Sequence, residues 1–280
     1  MPKTYNSDRC VVEEVEISCF HADTGEVKPM SDLVAVEEPF HIMVNEEYYA
    51  TILCTPSNVN ELMVGHLVSE GIINSPREIK EIKTRRDREF NIRLAKGIDA
   101  HSRLSSSTSF RRLILSACGS PENWSFSKLL DGIPLRKMNV TGRVEAKLIL
   151  DACRQLNTQA TAYRQTGGLH AAAIRSQDGG LISFAEDVGR HNAVDKVIGM
   201  ALLSNHDLES CLLVSTGRLS GDMVLKGARV GIPVIASISA ALNSGIEVAE
   251  KTGVTLIGFV RGQRMNIYSY PERISVKKGL

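Results

Sequence analysis

Residues 184–199 read Phe-Ala-Glu-Asp-Val-Gly-Arg-His-Asn-Ala-Val-Asp-Lys-Val-Ile-Gly, and they contain the change of pattern that decides the fold of this chain. The segment begins extended, because the apolar run from Leu181 to Phe184 follows the Gly179-Gly180 turn. From His191 onward the apolar residues recur at three- and four-residue intervals, as on one face of an amphipathic helix. The stretch therefore predicts a strand that passes directly into a helix.

Polar side chains of both signs cluster at this junction, namely Glu186, Asp187, Arg190 and His191. The free N–H groups and the positive dipole at a helix start favour anionic ligands. His191 and Asp195 are four residues apart, so we expect them to share a helix face and to be able to pair. An ordinary capped helix, in which Asp187 or Asn192 satisfies the free amides, explains this stretch equally well.

The remainder of the chain predicts an α/β fold, α+β overall. After Thr166, strands and helices alternate, which indicates a sheet covered by helices. Before it, a hairpin at 40–54, a helix at 58–70 and strands at 79–82 and 90–94 predict a smaller α+β domain. Residues 1–30 read as polar and irregular, apart from a possible edge strand at 11–17. We therefore expect an N-terminal domain at 1–110, a connector at 111–141 and a C-terminal domain at 142–280.

Composition narrows the function classes. The chain has 280 residues, 43% of them hydrophobic, and a formal net charge of +1. The charge balance gives no general attraction to nucleic acid or to a membrane. The N-terminus lacks the apolar core of a signal peptide, and the longest apolar run is too short to span a bilayer. We therefore expect a cytoplasmic protein.

The six cysteines are scattered, and no CxxC motif occurs. This spacing provides neither a zinc ribbon nor a dithiol redox pair. Cys54 and Cys211 lie in apolar runs and are expected to pack in the core. Cys118 lies instead in a Gly/Ser/Pro loop after Arg111-Arg112, where a thiolate is accessible and near positive charge. Cys118 is therefore the best candidate nucleophile.

Four loops are expected to meet at one edge of the C-terminal sheet, because ligands in such sheets bind where the strands end. They are rich in Gly, hydroxyl and Arg residues, which suits a phosphate-rich nucleotide, and they span 186–191, 215–221, 237–244 and 261–264. A simple turn is the better explanation for any one of these loops, but not for all four together. No GxGxxG or GxxxxGK[ST] motif occurs, and the HxE and PCxxC parts of the deaminase zinc signature are also missing. We therefore expect no metal site.

Five blocks in order resemble the formate dehydrogenase accessory sulfurtransferase (FdhD) family. The signature block is Glu186-Asp-Val-Gly-Arg-His-Asn-Ala-Val-Asp-Lys196. The other blocks are Ser69-Glu-Gly-Ile-Ile73, Thr166-Gly-Gly-Leu-His-Ala-Ala-Ala173, a block from Ser215-Thr-Gly-Arg218 to Ala236, and Gly258-Phe-Val-Arg-Gly-Gln-Arg264. The resemblance spans roughly residues 31–270. It implies a C-terminal domain similar in fold to the cytidine deaminases, and it favours a homodimer.

The resemblance also implies a chemistry. In the family, the loop that holds Cys118 carries a cysteine that receives sulfur from a cysteine desulfurase as a persulfide and passes it to the metal of a cofactor. Many members have CxxC there, whereas this chain has Cys118-Gly-Ser-Pro121. The proline in place of the second cysteine argues against an obligatory disulfide. His170 is either an assisting group or a satisfied core histidine.

The cofactor implied by the resemblance is bis-molybdopterin guanine dinucleotide, holding Mo or W, with GDP as a binding analogue. Its client is apo-formate dehydrogenase. The residues expected to bind it are Phe259, Val260, Arg261, Gly262, Gln263 and Arg264, together with Ser215, Thr216, Gly217, Arg218, Arg190 and His191. Two other functions remain open. One is a non-catalytic cofactor-binding chaperone in which Cys118 is dispensable, and the other, weaker one is a metal-dependent hydrolase on a deaminase-like fold.

Overall fold

A computed structural model describes residues 10–86, 88–99, 103, 138 and 143–276. Its first sheet has the strand order β4-β3-β6-β5 and is built from β3 (Glu38–Val44), β4 (Glu47–Cys54), β5 (Ile79–Arg86) and β6 (Glu89–Leu94). Helix α1 (Val59–Ser69) packs on this sheet, and the shared core includes Phe40, Phe90 and Leu62. The predicted hairpin, helix and two strands are all confirmed.

A two-stranded ribbon precedes this sheet. It consists of β1 (Val12–His21) and β2 (Glu26–Ala35), paired antiparallel. The expectation of irregular structure in this part of the chain was wrong, and the predicted edge strand is longer than expected. The apolar pairs of the ribbon, such as Phe20 with Val27, face each other across the turn. Acidic residues lie between the apolar ones, so the alternation of apolar and polar residues is not visible from either strand alone.

The larger sheet has the strand order β13-β12-β11-β10-β8-β9. Strands β10, β11 and β12 are parallel to one another, while β8, β9 and β13 pair antiparallel with their neighbours. Its strands are β8 (His170–Ser176), β9 (Leu181–Asp187), β10 (Cys211–Ser215), β11 (Val234–Ser237), β12 (Thr255–Arg261) and β13 (Arg264–Ile267). The mixed sheet agrees with the predicted α/β class.

Helices cover both faces of this sheet. On one face the apolar sides of α4 (Arg190–Leu203), α5 (Gly221–Arg229) and α6 (Asn243–Thr252) join a single buried cluster with the strands. On the other face α2 (Ala146–Gln159) buries Ile149, Ala152 and Leu156 against the sheet. The predicted strand-to-helix junction is confirmed as the passage from β9 to α4.

Smaller elements complete the described part of the chain. Helix α3 (Thr161–Thr166) was not anticipated from the sequence. Strands β7 (Val144–Glu145) and β14 (Ile274–Ser275) pair parallel with each other. Two short 3-10 helices lie at Pro76–Glu78 and Pro271–Arg273.

Helices α1 and α4 cross in close contact, and two glycines make this crossing possible. A Cβ atom added at Gly65 would lie 1.8 Å from the Asp195 carbonyl oxygen, and one added at Gly199 would lie 1.9 Å from the Glu61 carbonyl oxygen. No side chain fits at either position, so the two backbones touch directly. The crossing holds the four-stranded sheet and its helix against the α4 side of the larger sheet.

Two fold-level expectations stay predictions. The likeness to cytidine deaminases and the division at residues 110 and 141 are neither supported nor excluded by this architecture. Most of the proposed connector, including Cys118, lies outside the described residues.

Candidate functional site

The four predicted loops do meet at one edge of the larger sheet, which we call the carboxyl edge: the edge at which β10, β11 and β12 end, together with the loops that leave them. Because β8 runs antiparallel to β10, its first residue, His170, lies at this edge. The antiparallel pairing of β8 and β9 places Asp187 opposite His170. The β9–α4 junction and the turn between β12 and β13 therefore lie along the same edge.

The N-terminus of α4 lies at the carboxyl edge without a side-chain cap. Its N-cap residue, Gly189, has extended backbone geometry and offers no side chain to the first turn. Asp187 accepts a hydrogen bond from the Gly189 amide at 2.9 Å, one residue before the free amides of the helix. Arg190 and His191 are the first two residues of the helix. Cationic side chains and free amides therefore lie together.

The Ser215–Arg218 loop approaches this helix start closely. A Cβ atom added at Gly217 would lie 2.8 Å from Cβ of Arg190, so only glycine allows this approach. Thr216 Oγ1 accepts a hydrogen bond from the Ala171 amide at 3.0 Å and lies 3.3 Å from Nδ1 of His170. The hydroxyls of Ser215 and Ser237 fasten the loop by bonding to the Gly217 backbone.

Positive charge accumulates around His170. Its pKa is lowered first by burial and then by the nearby basic side chains of Arg190, His191 and Arg218. Nε of Arg190 is buried and has no hydrogen-bond partner among the described residues. Unpartnered buried donors are rare because their desolvation is costly. A donor without a partner among cations and free helix amides fits an anionic ligand.

His191 has an acidic partner that the sequence did not indicate. Its Nε2 lies 2.5 Å from Oδ2 of Asp222, in the first turn of α5, and the Ser220 hydroxyl bonds to the same carboxylate. Burial favours the neutral form of Asp222, yet His191 and Ser220 hold its pKa well below the ordinary value. The expected pairing of His191 with Asp195 was wrong, because Asp195 faces α1 instead. The only signal for this pair in the sequence was the acidic residue Asp222 at the start of a predicted helix.

The turn from Phe259 to Arg264 forms the far side of the carboxyl edge. Phe259 and Gly262 both have positive φ angles, of 50° and 59°. Nε of Arg261 donates to the Ile238 carbonyl oxygen at 2.9 Å, and its guanidinium lies 5.5 Å from the Phe259 ring centroid. The last four residues of the turn are exposed, whereas the Val260 side chain packs in the core. Arg261 is therefore held in place with the rest of its donors facing outward.

The other charged residues of the signature stretch pack inside the fold, most of them at the α1–α4 crossing. Lys196 and Asp187 form a fully buried ion pair at 2.6 Å, and Lys196 also donates to the Thr55 carbonyl oxygen. Asp195 pairs with Lys226 at 2.9 Å and with His66 at 3.0 Å. Glu186 accepts the Tyr163 amide at the start of α3. Four of the eleven signature residues therefore hold the fold together.

Burial excludes three of the five described cysteines as candidate nucleophiles. Burial raises the pKa of both Cys54 and Cys153 to about 12, and it also raises the pKa of Cys211. These three thiols are inert at neutral pH, as expected for Cys54 and Cys211. Cys10 is exposed. Cys118 itself lies outside the described residues.

Two classes of site find no support among the described residues. No group of three or more His, Cys, Asp or Glu side chains there is arranged to hold a metal ion. No helix in that part of the chain is long and apolar enough to cross a membrane.

The fold and the carboxyl edge together define a mixed α/β protein with a candidate anion-binding site. The model of the FdhD/NarQ family matches residues 35–275. This chain therefore belongs to the FdhD/NarQ family.

Relatives and a solved structure agree with this assignment. A protein of Sulfolobus acidocaldarius named sulfur carrier protein FdhD is 42% identical over 248 residues, which is 88% of this chain and 92% of that protein. A protein of the same name from Shouchella clausii is 36% identical, covering 90% and 94% of the two chains. A crystal structure of a candidate formate dehydrogenase accessory protein from Desulfotalea psychrophila superposes with a TM-score of 0.76 at 27% identity, covering 95% of this chain and all of that one.

Proposed function

We propose that this protein is a cytoplasmic sulfur carrier in the maturation of formate dehydrogenase. The observation that carries the proposal is the identity of 36–42% over most of the chain to proteins named sulfur carrier protein FdhD. We further propose that Cys118 accepts sulfur from a cysteine desulfurase as a persulfide, and that this persulfide delivers the sulfur to bis-molybdopterin guanine dinucleotide.

The transfer consists of two balanced steps. The Cys118 thiolate attacks the terminal sulfur of the desulfurase persulfide, a new S–S bond forms on Cys118, and the desulfurase cysteine leaves as a thiolate. Delivery breaks that new bond and returns the Cys118 thiolate. The transferred sulfur is zero-valent, so its conversion to a sulfide ligand takes two electrons, which the reduced Mo or W centre of the substrate supplies.

The carboxyl edge is the proposed binding site for the cofactor. The first turn of α4, with Arg190 and His191, and the loop from Ser215 to Arg218 would hold phosphate groups. The turn from Phe259 to Arg264 would hold the guanine dinucleotide arms. The buried Nε of Arg190 and the close approach at Gly217 support this placement. GDP is the natural binding analogue.

The proposed partners follow from the same reaction. A cysteine desulfurase supplies the sulfur, apo-formate dehydrogenase receives the finished cofactor, and the protein acts as a homodimer. A deaminase-like fold for the C-terminal part belongs to the same proposal.

The test is the intact mass of the protein after incubation with a cysteine desulfurase and L-cysteine. We expect the wild-type protein to gain one sulfur atom, which dithiothreitol removes, and the Cys118→Ala variant to gain none. Cys10→Ala is the matched control, because Cys10 is an exposed thiol and its loss should leave loading unchanged. Cells that carry only Cys118→Ala should have no active formate dehydrogenase. Normal client activity in those cells would leave only the chaperone function.

A further inference from the structure

We propose that a cavity at the opposite edge of the larger sheet is a binding site for a free α-amino acid. The cavity has a volume of about 300 Å³ and lies between the start of α2 and the β8–β9 turn. Its wall includes Glu145, Lys147, Asp151, Gln155, Arg175 and Asp178. Arg175 is five residues along β8 from His170, which places the cavity about 17 Å from the carboxyl edge.

Arg175 is the residue that points to a ligand. Its side chain is only 4% exposed, and Nη1 donates to the Gly179 carbonyl oxygen at 3.1 Å. Nε and Nη2 are both buried and have no hydrogen-bond partner in the part of the chain that the structure describes. These two nitrogens form the side of the guanidinium that binds a carboxylate through two parallel hydrogen bonds. Arg175 and Gly179 both line the cavity, so the guanidinium that carries these two nitrogens borders it.

An unpaired buried guanidinium is costly, and here neighbouring groups do not remove the cost. Burial lowers the pKa of Arg175. No carboxylate among the described residues forms an ion pair with it. Asp151 pairs with Arg154, and Asp178 bonds to the Ser176 hydroxyl and the Gly180 amide. Since buried donors are almost always satisfied, a ligand carboxylate is the chemistry that fits.

The remaining wall selects the rest of the ligand. Helix α2 has 14 residues and no side-chain cap at its start, so its free amides also favour a carboxylate. The bonds named above use only Oδ1 of Asp151 and of Asp178, so the other oxygen of each carboxylate on the cavity wall favours a cationic group. A simple anion satisfies only the first requirement, whereas a zwitterion with adjacent carboxylate and ammonium groups satisfies both. The cavity volume is that of a small ligand.

The unpartnered nitrogens of Arg175 have almost no accessible surface, so a ligand must displace side chains that border the cavity to reach them. Gln155 and Lys147 are exposed residues on α2 that border the cavity. Both side chains are long and flexible, so they can move aside when a ligand reaches the buried donors.

The experiment is a thermal-shift and calorimetric screen of the full-length protein against the twenty L-amino acids. We expect at least one amino acid to raise the melting temperature of the wild-type protein, whereas the same acid without its amino group, and the same compound as its amide, do not. The Arg175→Met variant should lose this response. Arg175→Lys keeps the charge but not the paired donors, and its affinity should fall at least about tenfold.

Each other outcome contradicts the proposal. The proposal fails if the wild-type protein responds to no amino acid at 10 mM, or if it responds equally to simple acids. It also fails if the Arg175→Lys variant responds as the wild-type protein does. Each of these results would show that water satisfies Arg175. Should Arg175→Met fail to fold, Arg175→Lys and Asp178→Asn decide the question through the same affinities. GDP binding and sulfur loading serve as folding controls, because neither uses this cavity.

Discussion

The α1–α4 crossing and the carboxyl edge both contain charged side chains from the same signature stretch, but in opposite states. At the crossing, Lys196 and Asp187 are completely buried and paired at 2.6 Å. At the edge, Arg190 has a buried nitrogen without a partner among the described residues, and Arg218 adds positive charge near His170, while His191 pairs with Asp222. Paired buried charges fix a fold, whereas cations without enough counter-charge are suited to bind an anion.

This difference separates two roles within one short stretch. Glu186, Asp187, Asp195 and Lys196 face the protein interior, and Arg190 and His191 face the edge. A sequence block that identifies a family therefore does not identify its site residues. Substitutions in the two groups should therefore have different consequences, and the loss of Lys196 should cost the most.

Replacing Lys196 with Met should cost about 3–5 kcal/mol of unfolding free energy, because Asp187 is left as a buried, uncompensated carboxylate. The measurement is urea unfolding at neutral pH. Lys28→Met is the matched control, since the Lys28–Glu26 pair is more than half exposed on both sides. That control should lose less than about 1 kcal/mol. Equal losses in the two variants would mean that the crossing is not held by its buried ion pair.

Replacing Gly199 with Ala should cost about 3 kcal/mol, because the added methyl group would lie 1.9 Å from the Glu61 carbonyl oxygen. The two helices must separate to admit it, and the ion pairs beside them must stretch. Gly168→Ala is the control, because its nearest neighbour is the methyl carbon of Ala35 at 3.3 Å. A Gly199→Ala protein as stable as the control would show that the crossing is loose.

Local pattern was enough to predict most of the fold. The hairpin from β3 to β4, the β9–α4 junction and the α/β alternation after Thr166 all depend on periodicity and turn residues that are close in sequence. The ribbon of β1 and β2 was not predicted, because its apolar pairs, such as Ile17 with Met30, form between residues on opposite sides of a turn. Helix α3 escaped because six residues are too few to show a helical period.

The partners of the charged residues could not be predicted. His191 pairs with Asp222 and Asp195 pairs with His66, over separations of 31 and 129 residues. Helical spacing indicated only that His191 and Asp195 were close enough to pair. The unpaired state of Arg175 and Arg190 is a property of the packed structure, and no pattern in the sequence carries it.

Replacing Arg261 and Arg264 together with Glu should weaken GDP binding by about a hundredfold or more. Each charged hydrogen bond contributes about 1.5–3 kcal/mol, and the new carboxylates add repulsion. Calorimetry measures the affinity, and Arg164→Glu on α3 is the control for a change of exposed charge. Sulfur loading at Cys118 should remain normal in the double variant. Unchanged GDP affinity would assign the guanine arm to the Ser215–Gly221 loop.

The smallest expected effect is a change in the titration of His170. Burial and the cations Arg190, His191 and Arg218 lower its pKa, so an anion bound among those cations should raise it again. By linkage, anion affinity should then increase as the pH falls through the interval between the free and bound pKa values. Sulfate is the suitable probe because its charge does not change in this interval.

The His170 titration is followed by NMR with and without sulfate, and His41 on the four-stranded sheet serves as the internal control. Removing one cation with Arg218→Ala should raise the pKa of free His170 and reduce the further rise that sulfate causes. The resonances of His41 should not respond to sulfate. If saturating sulfate leaves the pKa of His170 unchanged, the anion binds away from α4. An anion bound beside Arg190, His191 and Arg218 would stabilise the imidazolium of His170 and raise its pKa.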